Sequence, residues 1–275
     1  MSVRFDDEAG AAPAPAAIRK AAPAAERDFA FLWRLLSVAI FCGAWEIAGQ
    51  IPINYALPPF SETVTAFGTM IADGSMPRAY LSTLQPLVIG VVASAVLGVG
   101  LGVLMGLRPV AEWFAAPVFI VLQAAPVAAL IPLVTFIYGI GLVSKSLSVM
   151  LLALPVIVLN CYKAVRNVNP SLVDMCRSFQ GTRVQQIAKI VIPDASPVIF
   201  AGLRLGIGAG FVGVVLAELL ITPTGVGDLI TYHRSVADYA EMYATIASII
   251  LFSAMTLTML QRLEVALFRP ETKGS

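Results

Sequence analysis

Charge is scarce in this chain. Of its 275 residues only 13% are Asp, Glu, Lys or Arg, about half the share of a soluble domain. With 58% hydrophobic residues and a mean hydropathy of +0.84, that shortage excludes an ordinary soluble enzyme and a disordered scaffold. It also argues against an outer-membrane barrel, whose alternating strands keep mean hydropathy low. The net charge is +1, so no basic face is on offer and nucleic acid is not an expected partner. Histidine occurs once, at His233; one imidazole cannot build a His-based metal site, and no metal is expected. The three cysteines (Cys42, Cys161, Cys176) stand at no redox or metal spacing. Cys42 and Cys161 lie in apolar runs and read as small core residues. The chain has no G-x-x-x-x-G-K-[ST], no G-x-S-x-G and no H-E-x-x-H. The nearest phosphate-loop fragment, Gly139 to Ser146, lacks the glycine before Lys145. No ATP site and no catalytic site are expected on this chain, and it is read as a non-enzyme.

Long apolar runs are abundant. A membrane-crossing helix needs roughly 20 apolar residues, and six runs qualify: Leu32–Gln50, Leu84–Leu107, Pro117–Ile140, Ser146–Tyr162, Val198–Ile221 and Met242–Ala266. The fourth is short and contains Pro155. The expected class is an all-α polytopic membrane protein of six spans, occupying residues 29–268. Residues 1–28, rich in Ala and Pro with mixed charges, read as a disordered cytoplasmic tail, and 269–275 as a second one. Lys and Arg set the orientation. With the N-terminus inside, the inner face holds Arg4, Arg19, Lys20, Arg27, Arg34, Arg108, Lys163, Arg166, Arg177, Arg183, Lys189, Arg262, Arg269 and Lys273. The outer face holds only Arg78, Lys145 and Arg234. Both termini are therefore expected in the cytoplasm. Outside, Ser61–Ala72 places Phe60, Val64, Phe67 and Ile71 on one stripe. It reads as an amphipathic helix capped by Ser61 and lying on the outer face. Residues 222–241 read as a loop and short helix.

The connection 163–197 between spans four and five is the longest on the inner face, and it is patterned as structure. Asn169 is an N-cap with Pro170 at the first helical position. Leu172, Met175 and Phe179 then share a stripe, with Asp174 and Arg177 beside it. Gly181 is expected to end this helix in a left-handed turn. Thr182 and Gln185 form a capping box for a second helix carrying Val184, Ile187 and Val191, which Pro193 should stop. Ser196 and Pro197 should then begin span five. Such a hairpin either tethers two spans or docks, helix in groove, into a cytoplasmic partner. Spans two and five carry small residues every fourth position: Gly90, Ser94, Gly98, Gly102 and Gly106, then Gly202, Gly206 and Gly210. These allow close backbone approach, for packing alone or for a sliding interface. Gln123, Pro126 and Pro132 interrupt span three, and Pro155 and Asn160 span four. Broken helices at membrane depth can line a wet path, or be simple kinks. Ionisable residues set well inside the spans are few; Glu46, Arg204 and Glu218 stand out, each placed where it marks function or snorkels to an interface.

The inner loop, with the segments after it, resembles the cytoplasmic "EAA" signature of ABC-importer permeases. Asp174 stands at the acidic position, followed by Met175, Cys176, Arg177, Ser178 and Phe179, and the Ile192-Pro193 ending falls at the expected distance. Pro197 through Arg204 looks like the "P-x-I-x-x-G-L-R" of the nitrate/sulfonate/taurine branch. Ala217-Glu218 resembles its "A-E", Gly225-Val226-Gly227 its "G-L-G", and Leu57-Pro58-Pro59 and Gly139 to Lys145 also match. Two departures stand out: Gln180 occupies the usual place of the loop glycine, one before Gly181, and Met175 and Cys176 replace two alanines. The resemblance covers about residues 32–268 and implies a type I ABC-importer permease fold and an inner-membrane location. It implies a pair of permease copies, a cytoplasmic ATPase dimer carrying ATP and Mg, and an external or periplasmic solute-binding protein, in contact with membrane lipid. Leu172, Asp174, Met175, Arg177, Ser178, Phe179, Gly181 and Arg183 would couple to the ATPase. Gln123, Asn160, Arg204, Phe211 and Glu218 are the pathway candidates. The implied solute is a small anion or polar organic molecule such as a sulfonate, taurine, nitrate, an aromatic carboxylate or a vitamin precursor. The rival reading is a self-contained secondary transporter or channel, with Glu46 and Glu218 as ion-coupling groups. Against it stand the lack of an inverted repeat and the few embedded carboxylates.

Overall fold

The computed structural model describes residues 24–51, 56–221 and 223–268, which are helical throughout apart from turns. The elements in chain order are α1 (Ala24–Gln50), α2 (Phe60–Ala72), α3 (Ser75–Leu107), α4 (Pro109–Ala124), α5 (Val127–Tyr138), α6 (Leu142–Arg166), α7 (Pro170–Ser178), α8 (Arg183–Gln186), a π-helical turn (Ile187–Val191), α9 (Ile192–Leu220), α10 (Val226–Ser235) and α11 (Tyr239–Phe268). By length and composition α3, α6, α8 through α9, and α11 can each cross a membrane. The pair α4–α5 makes a fifth candidate, and α1 carries a shorter apolar stretch, Leu35–Gln50.

Several boundaries differ from expectation. The first helix begins at Ala24, inside the segment read as tail; residues 1–23 and 269–275 lie outside the described residues. Span three is not one rod: α4 and α5 meet at Ala125-Pro126 with a bend of 101°. Proline lacks the amide that would continue the ladder and forces Ala125 into extended geometry (ψ 145°). By contrast Pro155 does not shorten span four. It sits buried inside the 25-residue α6, which begins at Leu142, ahead of the expected Ser146. Lys145 therefore belongs to the first turn of a helix and is 4% exposed, not a loop cation. Pro193 does not stop the helix before span five either. The π turn widens the ladder ahead of it, Ile192 N–H bonding Ile187 O. This is a local way to seat a ring that would otherwise collide with the preceding turn. The outcome is one helical run from Arg183 to Leu220, with Ser196 and Pro197 inside it.

The amphipathic segment is helical as expected, but its cap and buried face are not those read from sequence. Ser61 caps nothing; the carboxylate of Glu46, from α1, accepts from Ser61 N–H (2.8 Å) and Ser61 Oγ–H (3.0 Å). The buried side of α2 is Thr63, Ala66 and Met70, packed toward α11, whereas Val64 and Ile71 face out. In a membrane protein the apolar face can be the lipid face, which inverts the usual inference from periodicity.

Helix α6 is the centre of the bundle, and both small-residue ridges pack on it. A Cβ added at Gly90, Gly98, Gly102 or Gly106 of α3 would meet Val149, Ile157, Cys161 or Val165 at 2.5–2.7 Å. From an adjoining face, one added at Gly202, Gly206 or Gly213 of α9 would meet Asn160, Ile157 or Ser148 at 2.3–2.7 Å. Lipid tails are as apolar as leucine, so these helices associate through close van der Waals fit. Substituting Gly102→Val, whose Cβ would press on Cys161 Cβ (2.5 Å) and Val158 O (2.7 Å), should cost about 1–3 kcal/mol. Gly100→Val, two residues away in open space, should be nearly neutral. Thermal unfolding in detergent distinguishes the two, and equal melting points would show that the ridge does not set the packing.

Candidate functional site

Two constellations carry chemistry, one at each end of the α8–α9 run. At the end expected to face the cytoplasm, α7 buries no residue at all. Its start is fixed by Asn169, whose Oδ1 accepts from Ser171 N–H (3.0 Å). The next segment is fixed by the reciprocal Thr182–Gln185 capping box. Between them the chain turns at Gln180, which carries the left-handed φ of +57°. Gly181 does not carry it, contrary to the sequence reading. Gly181 serves instead as a close approach, since a Cβ there would lie 2.4 Å from Cys176 Sγ, and its N–H bonds Cys176 O (2.9 Å). The outward surface of this hairpin presents Phe179 (81% exposed) and Met175 (51%). Beside them is the solvent-exposed Arg177–Asp174 pair (3.3 Å), with Ser178 Oγ–H donating to Asp174 O (3.0 Å). Leu172 is half-buried and Arg183 exposed. The eight coupling candidates thus occupy one short, capped, protruding element.

At the opposite end, the one expected to face outward, lies a network that the sequence did not reveal. Glu218, near the end of α9, is fully buried and ion-paired with Lys145 of α6 (Nζ–Oε1 2.8 Å). Lys145 Nζ also donates to the carbonyl and hydroxyl oxygens of Thr224 (both 2.9 Å). Thr83 Oγ1–H, on α3, donates to the same carboxylate (2.9 Å) and its oxygen accepts from Val226 N–H (2.9 Å). Gly227 N–H completes the set at 3.0 Å from Oε2. The Gly225-Val226-Gly227 motif now has a physical reason. Gly225 adopts φ +99°, and a Cβ on it would overlap Glu218 Oε1 at 2.1 Å; one on Gly227 would overlap Glu218 Cβ at 2.5 Å. The signal available in sequence was the pairing of one lysine and one glutamate at the outer ends of neighbouring spans.

The other pathway candidates do not gather at one point. Gln123 is exposed, one residue before the end of α4. Asn160 lies where α6 meets Gly202 of α9, its Nδ2–H₂ donating to Val156 O (2.8 Å). Arg204 pairs with Glu264 of α11 (3.3 Å), both partly buried, beside an apolar cavity of about 190 Å³. Phe211 is buried and stacks edge-on with Phe252 (5.7 Å). Glu46, as described, holds the start of α2.

Breaking a buried ion pair by removing one partner costs about 3–5 kcal/mol, because the other charge is stranded. Glu218→Gln and Lys145→Met should each lower stability by that order. The double variant should regain much of the loss, since the remaining amide can still bond Thr83 and Gly227. Unfolding measured in lipid nanodiscs gives the coupling energy; strictly additive losses would mean that the two side chains act independently.

The chain matches the family model for the binding-protein-dependent transport system inner membrane component over residues 98–269. It is 27% identical, over 88% of its length and 89% of the relative's, to SsuC of Bacillus subtilis (strain 168), a permease named for aliphatic sulfonates. It is 26% identical to the taurine transport system permease protein TauC of Escherichia coli (strain K12), covering 68% of this chain and 70% of that one. Among solved structures it superposes on a chain of the inward-facing MetNI methionine ABC transporter with a TM-score of 0.59 at 17% identity. That match covers 72% of this chain and 96% of the other. The chain belongs to the binding-protein-dependent inner-membrane component family and is a multi-pass permease subunit of an ATP-binding-cassette importer.

Proposed function

We propose that two copies of this chain form the pathway for a small anion or polar organic solute, of the sulfonate, taurine or nitrate class. In this reading an external solute-binding protein delivers the solute, and a cytoplasmic ATPase dimer, binding ATP and Mg, drives its passage. Permeases named for sulfonates, taurine and nitrate among the relatives support the solute class. The observation that carries the wiring is the inner hairpin: a nine-residue helix with nothing buried, rigidly capped, offering Phe179 and Met175 to a groove. Docked there, it converts closure of the ATPase dimer into a rigid-body movement of the spans. An inside location for the hairpin and both termini follows from the Lys/Arg distribution. It is reinforced once Lys145 is buried, which leaves Arg78 and Arg234 as the outer-loop cations. The secondary-transporter reading loses its two coupling groups: Glu218 is already neutralised by Lys145, and Glu46 is occupied by Ser61.

Purification in mild detergent followed by intact-complex mass measurement tests the assembly. Two permease chains with two ATPase chains are expected; this chain alone after crosslinking would overturn it. Charge reversal at Arg177 tests the docking. Its partner Asp174 is about two-thirds exposed, so the pair adds little to stability. Arg177→Glu should leave the protein in the membrane at normal levels while uncoupling ATP hydrolysis from uptake. Coupled uptake at the wild-type rate would remove Arg177 from the interface.

A further inference from the structure

The turn between α10 and α11, on the same end of the bundle as the Glu218 network, brings the chain's single histidine against two carboxylates. His233 comes from the last turn of α10, Asp238 from the connection, and Glu241 from the first turn of α11. One ligand atom from each lies within 4.8 Å of the others, and His233 Nδ1 stands 3.8 Å from Asp238 Oδ2. That separation is too long for a hydrogen bond, and Nδ1 is buried with no hydrogen-bond partner. An orphaned buried nitrogen aimed at carboxylates is a costly arrangement unless something sits between them. The backbone holds the arrangement in place. Asp238 N–H bonds His233 O (2.9 Å), and Ala237 takes the left-handed φ of +63° that turns Asp238 back toward the ring. The surroundings are acidic: Asp73 interacts electrostatically with His233. Asp238 and Glu241, with Glu62 of α2, line an open cleft of about 380 Å³.

We propose that His233, Asp238 and Glu241 form a divalent transition-metal site on this outer turn, with Zn²⁺ the fitting class of ion. One imidazole nitrogen and two carboxylate oxygens match its donor preference, whereas Ca²⁺ and Mg²⁺ take oxygen alone. Metal–ligand distances of about 2.0–2.2 Å put tetrahedral ligand atoms about 3.4 Å apart, so the widest separation within the 4.8 Å cluster must close by about 1.4 Å, a movement for side-chain rotation at Asp238 and Glu241. The bound ion would tie the end of α10 to the start of α11, leaving a coordination position for water. Counting histidines alone had argued against any such site; the fold adds the carboxylates.

The full chain, purified in nanodiscs through a tag without histidine, is titrated with Zn²⁺ against a chromogenic chelator, and its zinc X-ray absorption spectrum is recorded. One ion per chain with a single imidazole donor is expected, and in this sequence that donor can only be His233. His233→Ala and Asp238→Asn should each weaken binding by about tenfold or more, with metal-free melting points like that of the parent confirming that they fold. Two outcomes overturn the proposal. One is Zn²⁺ affinity unchanged in both variants, or a spectrum without a nitrogen donor. The other is a His233 titration that shifts in Asp238→Asn while Zn²⁺ does not bind, which would make the cluster a simple His–carboxylate pair.

Discussion

A carboxylate placed among membrane helices has to be answered by a cation and by donors, and much of the outer half of this bundle is arranged around that requirement. Glu218 receives Lys145 from α6, Thr83 from α3 and the Gly227 amide from the start of α10. Desolvating two charges is expensive and is recovered only when geometry is good and the remaining lone pairs are bonded. Here each carboxylate oxygen has at least one partner, and Lys145 spends further protons on Thr224. Three spans and an outer loop are therefore fixed relative to one another by one anion. Any movement of the segment from Thr224 to Gly227 breaks bonds to a buried charge, so that segment moves with the spans.

The same economy of contact governs the middle of the bundle. Without a solvent difference between protein and lipid, α3 and α9 gain from α6 only what close approach provides. The two glycine ridges meet adjoining faces of one helix, at Ile157 both from Gly98 and from Gly206. A branched residue at the centre and glycine on each flank gives three helices a common, tightly spaced core. The outward faces of α4 and α5 are left apolar: Trp113, Phe114 and Phe136 are at least 80% exposed in the isolated chain. They suit lipid or a second copy.

What could be read in the sequence follows from which signals are local. The hairpin's caps, Asn169-Pro170 and Thr182 with Gln185, depend on neighbours in the chain and were legible in full. The glycine spacing was legible as close packing, though not that α6 is shared by both ridges. Prolines were ambiguous because their effect depends on what can yield around them. Pro126 broke a span, Pro155 was absorbed without loss of helix, and Pro193 was seated by a π turn. Lys145 and Glu218 are 73 positions apart in sequence, so their meeting was invisible; the glycines at 225 and 227, and Asp238 and Glu241 beside His233, are close in sequence, but only the path of the turns after α9 and α10 shows that they come together. The capping of α2 was missed for the same reason: a nearby serine looked sufficient, while a glutamate fifteen positions earlier does the work.

The left-handed residue at Gln180 shows how the inner hairpin meets the rest. Such a conformation costs a side-chain-bearing residue of the order of 1–2 kcal/mol, and strain of this kind persists only where the surroundings fix it. Gly181, pressed on Cys176, and the capping box that follows supply that fixation, so the position left for the turn is the one before. Immediately beyond it starts a helical run of 38 residues, which at 1.5 Å per residue is about 57 Å long. Arg183 stands at its inner end and Glu218 near its outer one. In the proposed docking, a force applied to the capped hairpin meets no loop before it reaches the Lys145–Glu218 pair. The one π-helical segment on the way is the turn at Ile187–Val191, where the hydrogen-bond ladder widens by one residue. That turn is therefore the natural place for the two ends to be tuned relative to each other, and it lies next to the hairpin, leaving the whole length of α9 to act as a single lever.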